Sequence, residues 1–257
     1  MNMGEENMFF VDLQDKRNYY AKEIIAEKHA VKPLEEYKSE IKQGDVILYS
    51  PAKQFDLNEA LSLPRGITVY AGNVCEQILK IFKEKYITVK NFLQDEKFAI
   101  ENAKLTAEGV LAIIIENTPK SLKESKILIL GGGRISKALA VLLNKMDVFC
   151  AITSFTKSEY HNAFYYSSEQ YFGKEYVKKV GLYDVIVNTR PQFYVGKEVI
   201  DKIKKNALFI ETASVECLNE HEVKNFNYFL APKLPQKFCP QSAGRIIAEK
   251  VLEDTDD

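Results

Sequence analysis

Three consecutive glycines, Gly131, Gly132 and Gly133, separate an apolar run from a segment with helical spacing. Before them, residues 126–130 carry Ile or Leu at every position but the first, which predicts a short buried strand. After them, residues 134–144 place Ile135, Leu139, Leu142 and Leu143 on one helical face. A strand, a glycine turn and a helix N-terminus make a site for a pyrophosphate. Glycine lets the backbone approach, and the unpaired N–H groups and positive dipole of the first helical turn favour an anion. The dinucleotide fingerprint carries a third glycine, and here Ser136 stands in that place, small enough for close helix–strand packing. Gly131, Gly132, Gly133, Arg134, Ile135 and Ser136 are therefore the first cofactor-binding candidates.

Ligands of an open parallel sheet lie beyond the carboxyl ends of its strands. The loops that end predicted strands at 153–157, 188–191, 211–214 and 231–235 are rich in Ser, Thr, Asn, Pro and cationic residues. Any one of them reads equally well as an ordinary turn, but together on one edge they favour a cofactor cleft. They add Thr153, Ser154, Lys157, Asn188, Thr189, Thr212 and Ala213 as cofactor-binding candidates. An acid at the end of the second strand would hold the ribose 2′-hydroxyl of NAD. Ser154 and Lys157 stand there instead and suit the 2′-phosphate of NADP, with NAD as the alternative. Arg17, Arg190, Lys233 and Lys237 are the cations that could hold a substrate carboxylate. Neither a histidine paired with a carboxylate at a strand end nor a G-x-S-x-G elbow is present, and hydride transfer needs neither.

The elements that must position these residues alternate. Strands are predicted at 8–12, 46–49, 66–70 and 86–89, with helices at 15–29, 58–63 and 74–83. That alternation predicts parallel βαβ units. A helix opening at Thr106 as N-cap and running to about Glu116 leads into the glycine strand. Further strands follow at 147–153, 183–188, 207–211 and 227–230, with a helix of open limits within 158–171, a short helical piece at 175–180, helices at 197–204 and 241–252, and an acidic tail. The expected fold class is α/β in two domains: a flavodoxin-like domain at 1–103 and a Rossmann-type parallel sheet at 104–238. The last residues, 239–257, are expected to pack back between the domains.

Composition excludes several classes. The chain has 35 basic and 36 acidic residues, a net charge of −1, which gives no basis for nucleic-acid binding. The apolar run at 110–115 is too short to cross a bilayer, and the acidic N-terminus lacks a secretory n-region. Cys75, Cys150, Cys217 and Cys239 are widely spaced, as are the three histidines, so neither a metal site nor a disulfide framework is expected. These features point to a cytoplasmic protein with free thiols.

Seven segments resemble one family, the A subunit of bacterial dipicolinate synthase. They are LTAEG at 105–109, TPK at 118–120, LGGGR at 130–134, NTRP at 188–191, ETAS at 211–214, LAPKLPQK at 230–237, and P-x-SAG-x-I-x-A at 240–248. Their order and spacing cover the chain from about Asn102 onward. The resemblance implies a two-domain dehydrogenase-like fold that uses NADP. It also implies oxidation of a dihydrodipicolinate-type dicarboxylate to dipicolinate, together with a flavoprotein-like B subunit, in spore formers. The chain departs from the family at Ser136, at residues 13–17 where a G-G-D-x-R loop is reduced to LQDKR, and at residues 215–217. A non-catalytic NAD(P)-binding subunit or sensor serving a partner protein is the alternative reading, and a homo-oligomer is compatible with either. Another dehydrogenase of 2-hydroxyacid or shikimate type is a weaker third, because the residue sets that those enzymes use do not appear in the loops.

Overall fold

The computed structural model describes residues 7–72, 74–190, 195–212 and 226–256. They divide into two compact units, residues 1–102 with 239–257, and residues 103–238.

In unit 1 the strands are β1 (Phe9–Val11), β2 (Val31–Pro33), β3 (Val46–Leu48), β4 (Thr68–Ala71) and β5 (Thr88–Asn91), and the helices are α1 (Lys16–Ile25), α2 (Leu34–Tyr37), α3 (Leu57–Ser62) and α4 (Glu76–Glu84). The strands pair in parallel in the order β2-β1-β3-β4-β5, which is the flavodoxin-like doubly wound order. Because successive strand side chains face opposite ways, β1 splits between two cores. Phe10 joins Ile47, Val69 and the α4 residues Ile78 and Phe82. Phe9 and Val11 join Leu48, Tyr70 and the α1 residues Ala21 and Ile25 on the other face. Burial of side chains this size stabilises by roughly 1.5–3 kcal/mol each.

The division between units falls within α5 (Glu96–Asn117). This helix begins ten residues before the expected start. Thr106 is not its N-cap but a buried position in its middle.

Unit 2 holds β6 (Ile127–Leu130), α6 (Arg134–Lys145), β7 (Cys150–Ser154), α7 (Lys157–Ala163), β8 (Glu169–Phe172), β9 (Val185–Asn188), α8 (Lys197–Ile200), β10 (Leu208–Glu211), β11 (Asn227–Leu230) and α9 (Leu234–Phe238). Its sheet is parallel throughout, in the order β11-β10-β9-β6-β7-β8. Numbered within the unit this is 6-5-4-1-2-3, the Rossmann order with its reversal between β6 and β9. One face packs on α5 and α6 through Ile127, Ile129, Val185 and Val187 against Val110, Ile113 and Leu139. The other packs Leu128, Ile186 and Phe209 against Val199, Ile200 and Ile203.

The last helix, α10 (Pro240–Asp256), belongs to unit 1 and lies along α1. The contact depends on Gly244, where a Cβ would stand 2.4 Å from the Arg17 carbonyl oxygen. Among the described residues no helix is long and apolar enough to cross a membrane.

Candidate functional site

The site is built at the carboxyl end of β6. All four β6 residues are fully buried, so the glycines that follow emerge at a fixed point of the sheet. Gly131 turns the chain with φ of +122°, and its N–H donates to the Thr153 carbonyl at 3.0 Å. A side chain there would be strained and would stand 2.6 Å from Thr189 Oγ1. At Gly132 a Cβ would meet the Glu159 Cβ at 2.6 Å and Ser154 Oγ at 3.0 Å. Gly133 differs: it is the N-cap of α6, and among the described residues no atom stands within 4 Å of where its Cβ would be. Among the described residues no side chain caps this helix. The first-turn N–H groups of Arg134, Ile135 and Ser136 have no partner within the helix, as at every helix start. Arg134 is exposed and Ile135 half-buried. The result is a helix N-terminus with room beside it, which suits a phosphate.

Around this opening the predicted polar side chains mostly hold the edge together. Thr189 Oγ1 donates to the Leu130 carbonyl at 3.0 Å, so its 2.7 Å contact with Ser136 has Ser136 as donor. Ser136 thereby replaces the third glycine with a polar tie from α6 to the end of β9. Thr153 Oγ1 donates to the Gly173 carbonyl at 3.2 Å. Thr212 donates to the Asn188 carbonyl through both its N–H and its hydroxyl, at 3.0 and 2.9 Å. The Asn188 amide donates to Glu211 at 2.8 Å, and both residues are fully buried. Each of these hydroxyl protons is already given to a protein acceptor. A phosphate requires donors, so these groups shape the edge while the backbone of the turn faces the opening.

Three predicted residues remain. Ser154 is fully buried, and its hydroxyl has no hydrogen-bond partner among the described residues. Lys157 is exposed at the first turn of α7. Ala213 lies outside the described residues. Sequence reasoning misses Glu159, which completes a capping box with Thr156 and accepts the N–H groups of Phe155 and Thr156 at 3.3 Å. The T-x-x-E spacing is the signal that could have shown it.

The cations expected to hold a substrate occupy distinct settings. Arg190 sends its guanidinium over the Phe155 ring, 4.0 Å from the centroid. Lys233 is exposed with φ of +56°. Lys237, also exposed, holds its ammonium over the rings of Phe238 and Phe229 at 4.9 and 5.6 Å. The family-like segments around 105–109 and 230–237 meet within unit 2, where a Cβ on Gly109 would come 2.9 Å from Leu234 Cβ.

Arg17 lies in unit 1 and is only 5% exposed. Its Nε and Nη2 engage Asp15 bidentately at 3.0 and 2.6 Å, and Ser50 donates to the same carboxylate at 2.6 Å. Burial pushes Asp15 up, but Arg17 and Ser50 overcome it and hold the carboxyl below its ordinary range. Arg17, expected from the sequence to hold a substrate, is the buried half of an internal ion pair. Elsewhere in unit 1 Glu35, at the start of α2, is raised by burial and by the neighbouring Asp12 carboxyl. The sequence gives no sign of that pair, because β2, which delivers Glu35 to the edge, is too short and too polar to stand out as a strand.

Comparison with known proteins agrees with this architecture. No family model matches the chain. The A subunit of dipicolinate synthase from Bacillus subtilis is 26% identical over 172 residues, 62% of this chain, and the chain matches about half (54%) of that relative's length. The solved structure of the dipicolinate synthase A subunit from Bacillus halodurans superposes with a TM-score of 0.85 at 17% identity, covering 98% of both chains. A transhydrogenase from Sinorhizobium meliloti shares the fold at a TM-score of 0.67 and 13% identity, over 96% of this chain and 92% of that one. Taken with the seven matching segments, these findings make the chain similar in sequence to a dipicolinate synthase A subunit and similar in fold to the solved A subunits.

Proposed function

We propose that this protein is an NADP-dependent oxidoreductase subunit that oxidises a dihydrodipicolinate-type dicarboxylate to dipicolinate, in the cytoplasm and together with a flavoprotein-like partner. The observation that carries the nucleotide part is the opening at Gly133, an uncapped α6 N-terminus at the reversal point of a Rossmann-ordered sheet. The sequence match supports the substrate. NADP would accept the hydride lost from the ring as the second hydrogen leaves as a proton and the ring becomes aromatic. In this reading the α6 backbone holds the pyrophosphate, the Ser136–Thr189 tie fixes the turn, and Arg134 borders the opening. The test mixes the protein with NADP and freshly made dihydrodipicolinate and follows reduced nicotinamide. Reduction that depends on both supports the reading.

One observation favours a second reading, a non-catalytic nucleotide-binding subunit: Arg17 is already taken by Asp15. In that case NADPH binds, but no reduction occurs with or without the partner.

A further inference from the structure

Arg190 leaves the end of β9 and crosses the glycine turn. Its Cγ lies 3.0 Å from where a Cβ on Gly131 would stand, and its guanidinium carbon lies 4.0 Å above the Phe155 ring. Strands β9 and β7 flank β6, so this side chain spans from one side of the turn to the other. Phe155 directly follows Ser154, the last residue of β7. That strand end is where a Rossmann sheet reads the adenosine ribose, by an acid for a 2′-hydroxyl or by an arginine for a 2′-phosphate. No acid occupies residues 154–156. The contact with the Phe155 ring holds the guanidinium in place beside the strand end, which lessens the ordering cost of a contact with phosphate oxygens.

From this we infer that Arg190, stacked on Phe155, recognises the 2′-phosphate and sets the preference for NADP, a role distinct from the substrate contact its sequence position suggested. The inference rests on the nucleotide reading of the glycine turn. Glu159 opposes it: its carboxylate sits at the N–H groups of Phe155 and Thr156 and would repel a phosphate while suiting hydroxyls. The Arg190 charge, stacked across the same strand end, outweighs a carboxylate already engaged by two backbone donors.

The experiment titrates NADPH and NADH separately into wild type, Arg190→Gln, Arg190→Lys and Glu159→Gln, with thermal unfolding of each variant as the folding control. Wild type should bind NADPH more tightly than NADH. Arg190→Gln should lose at least about tenfold in NADPH affinity, with NADH changed less than about threefold. Arg190→Lys should fall between, because it keeps the charge but loses the planar fork. Glu159→Gln should tighten NADPH selectively. Wild type that prefers NADH, or an Arg190→Gln variant that weakens both nucleotides equally or neither, overturns the role of Arg190 but leaves the nucleotide site standing. Wild type that binds neither nucleotide overturns the site itself.

Discussion

The carboxyl edges of the two sheets solve the same structural problem in opposite ways. In unit 2 the first strand ends in glycines, and the edge is left open beside the backbone of Gly133. In unit 1 the first strand ends in Asp12, Leu13, Gln14 and Asp15, and side chains fill the corresponding place. There Asp15 caps α1 and binds Arg17 and Ser50, while Asn18 donates to the Asp12 carbonyl at 2.9 Å. One edge offers main-chain donors to a ligand; the other satisfies its charges internally. Sheet order alone therefore does not make a nucleotide site. The residue types after the first strand decide it, because only glycine leaves both room and unpaired N–H groups.

The largest expected effect lies in the filled edge. Arg17→Gln leaves Asp15 buried and unpaired, so it should destabilise the protein by ~3 kcal/mol or more in chemical denaturation. Nucleotide affinity in whatever remains folded should be unchanged. A neutral result would mean that the pair is dispensable and that Arg17 can be released to a ligand.

The next effect lies at the amino edge of unit 2, which is closed by charge. Burial pushes Asp184 up, but Lys204, the Lys126 N–H and Lys120 bring its pKa down from 3.8 to about 2. A carboxyl depressed in the folded state contributes stability above its ordinary pKa and loses it as pH falls through the folded value. Asp184→Asn should therefore cost about 1–2 kcal/mol at neutral pH. The difference from wild type should shrink as pH drops from 3.8 to about 2. Unfolding curves for both proteins across that range check the sign.

The smallest effect concerns the polar tie at the open edge. Ser136→Gly restores the third fingerprint glycine and removes the hydrogen bond to Thr189. It should cost about 1 kcal/mol of stability and leave NADPH affinity within about twofold. A large loss of affinity would make Ser136 a direct ligand of the cofactor.

Much of this contrast is legible in the sequence. Strands β6, β9 and β10 are fully buried and, apart from Asn188 and Glu211 at the ends of the last two, consist of Val, Ile, Leu and Phe, and the glycine turn carries its own signal. The strands that sequence reasoning misses, β2 with sequence VKP and β8 with EQYF, both lie at sheet edges. An edge strand pairs on one side only and is less buried, so its residues lack the apolar continuity that marks a central one. The loop expected at 231–235 gives way to α9, where Pro235 sits in the first turn and its missing N–H costs nothing. Thr106 resembles a cap because it is a Thr with an acid, Glu108, in the turn that follows, yet burial of the surrounding α5 face carries the helix straight through it. The opening at Gly133 is legible as a pattern. The commitment of Ser136, Thr153 and Thr212 to neighbouring groups is not, because it depends on pairings between elements far apart in sequence.

The function proposed above gives the open edge one task, to bind a pyrophosphate beside Gly133. Gly133→Val probes that capacity most directly, since the position has open space for a side chain and the fold should tolerate it. Calorimetric titration of NADPH should show affinity at least about tenfold weaker than wild type, roughly 1.4 kcal/mol, with the unfolding transition little changed. Unchanged affinity in a folded Gly133→Val protein would contradict a pyrophosphate site at this turn.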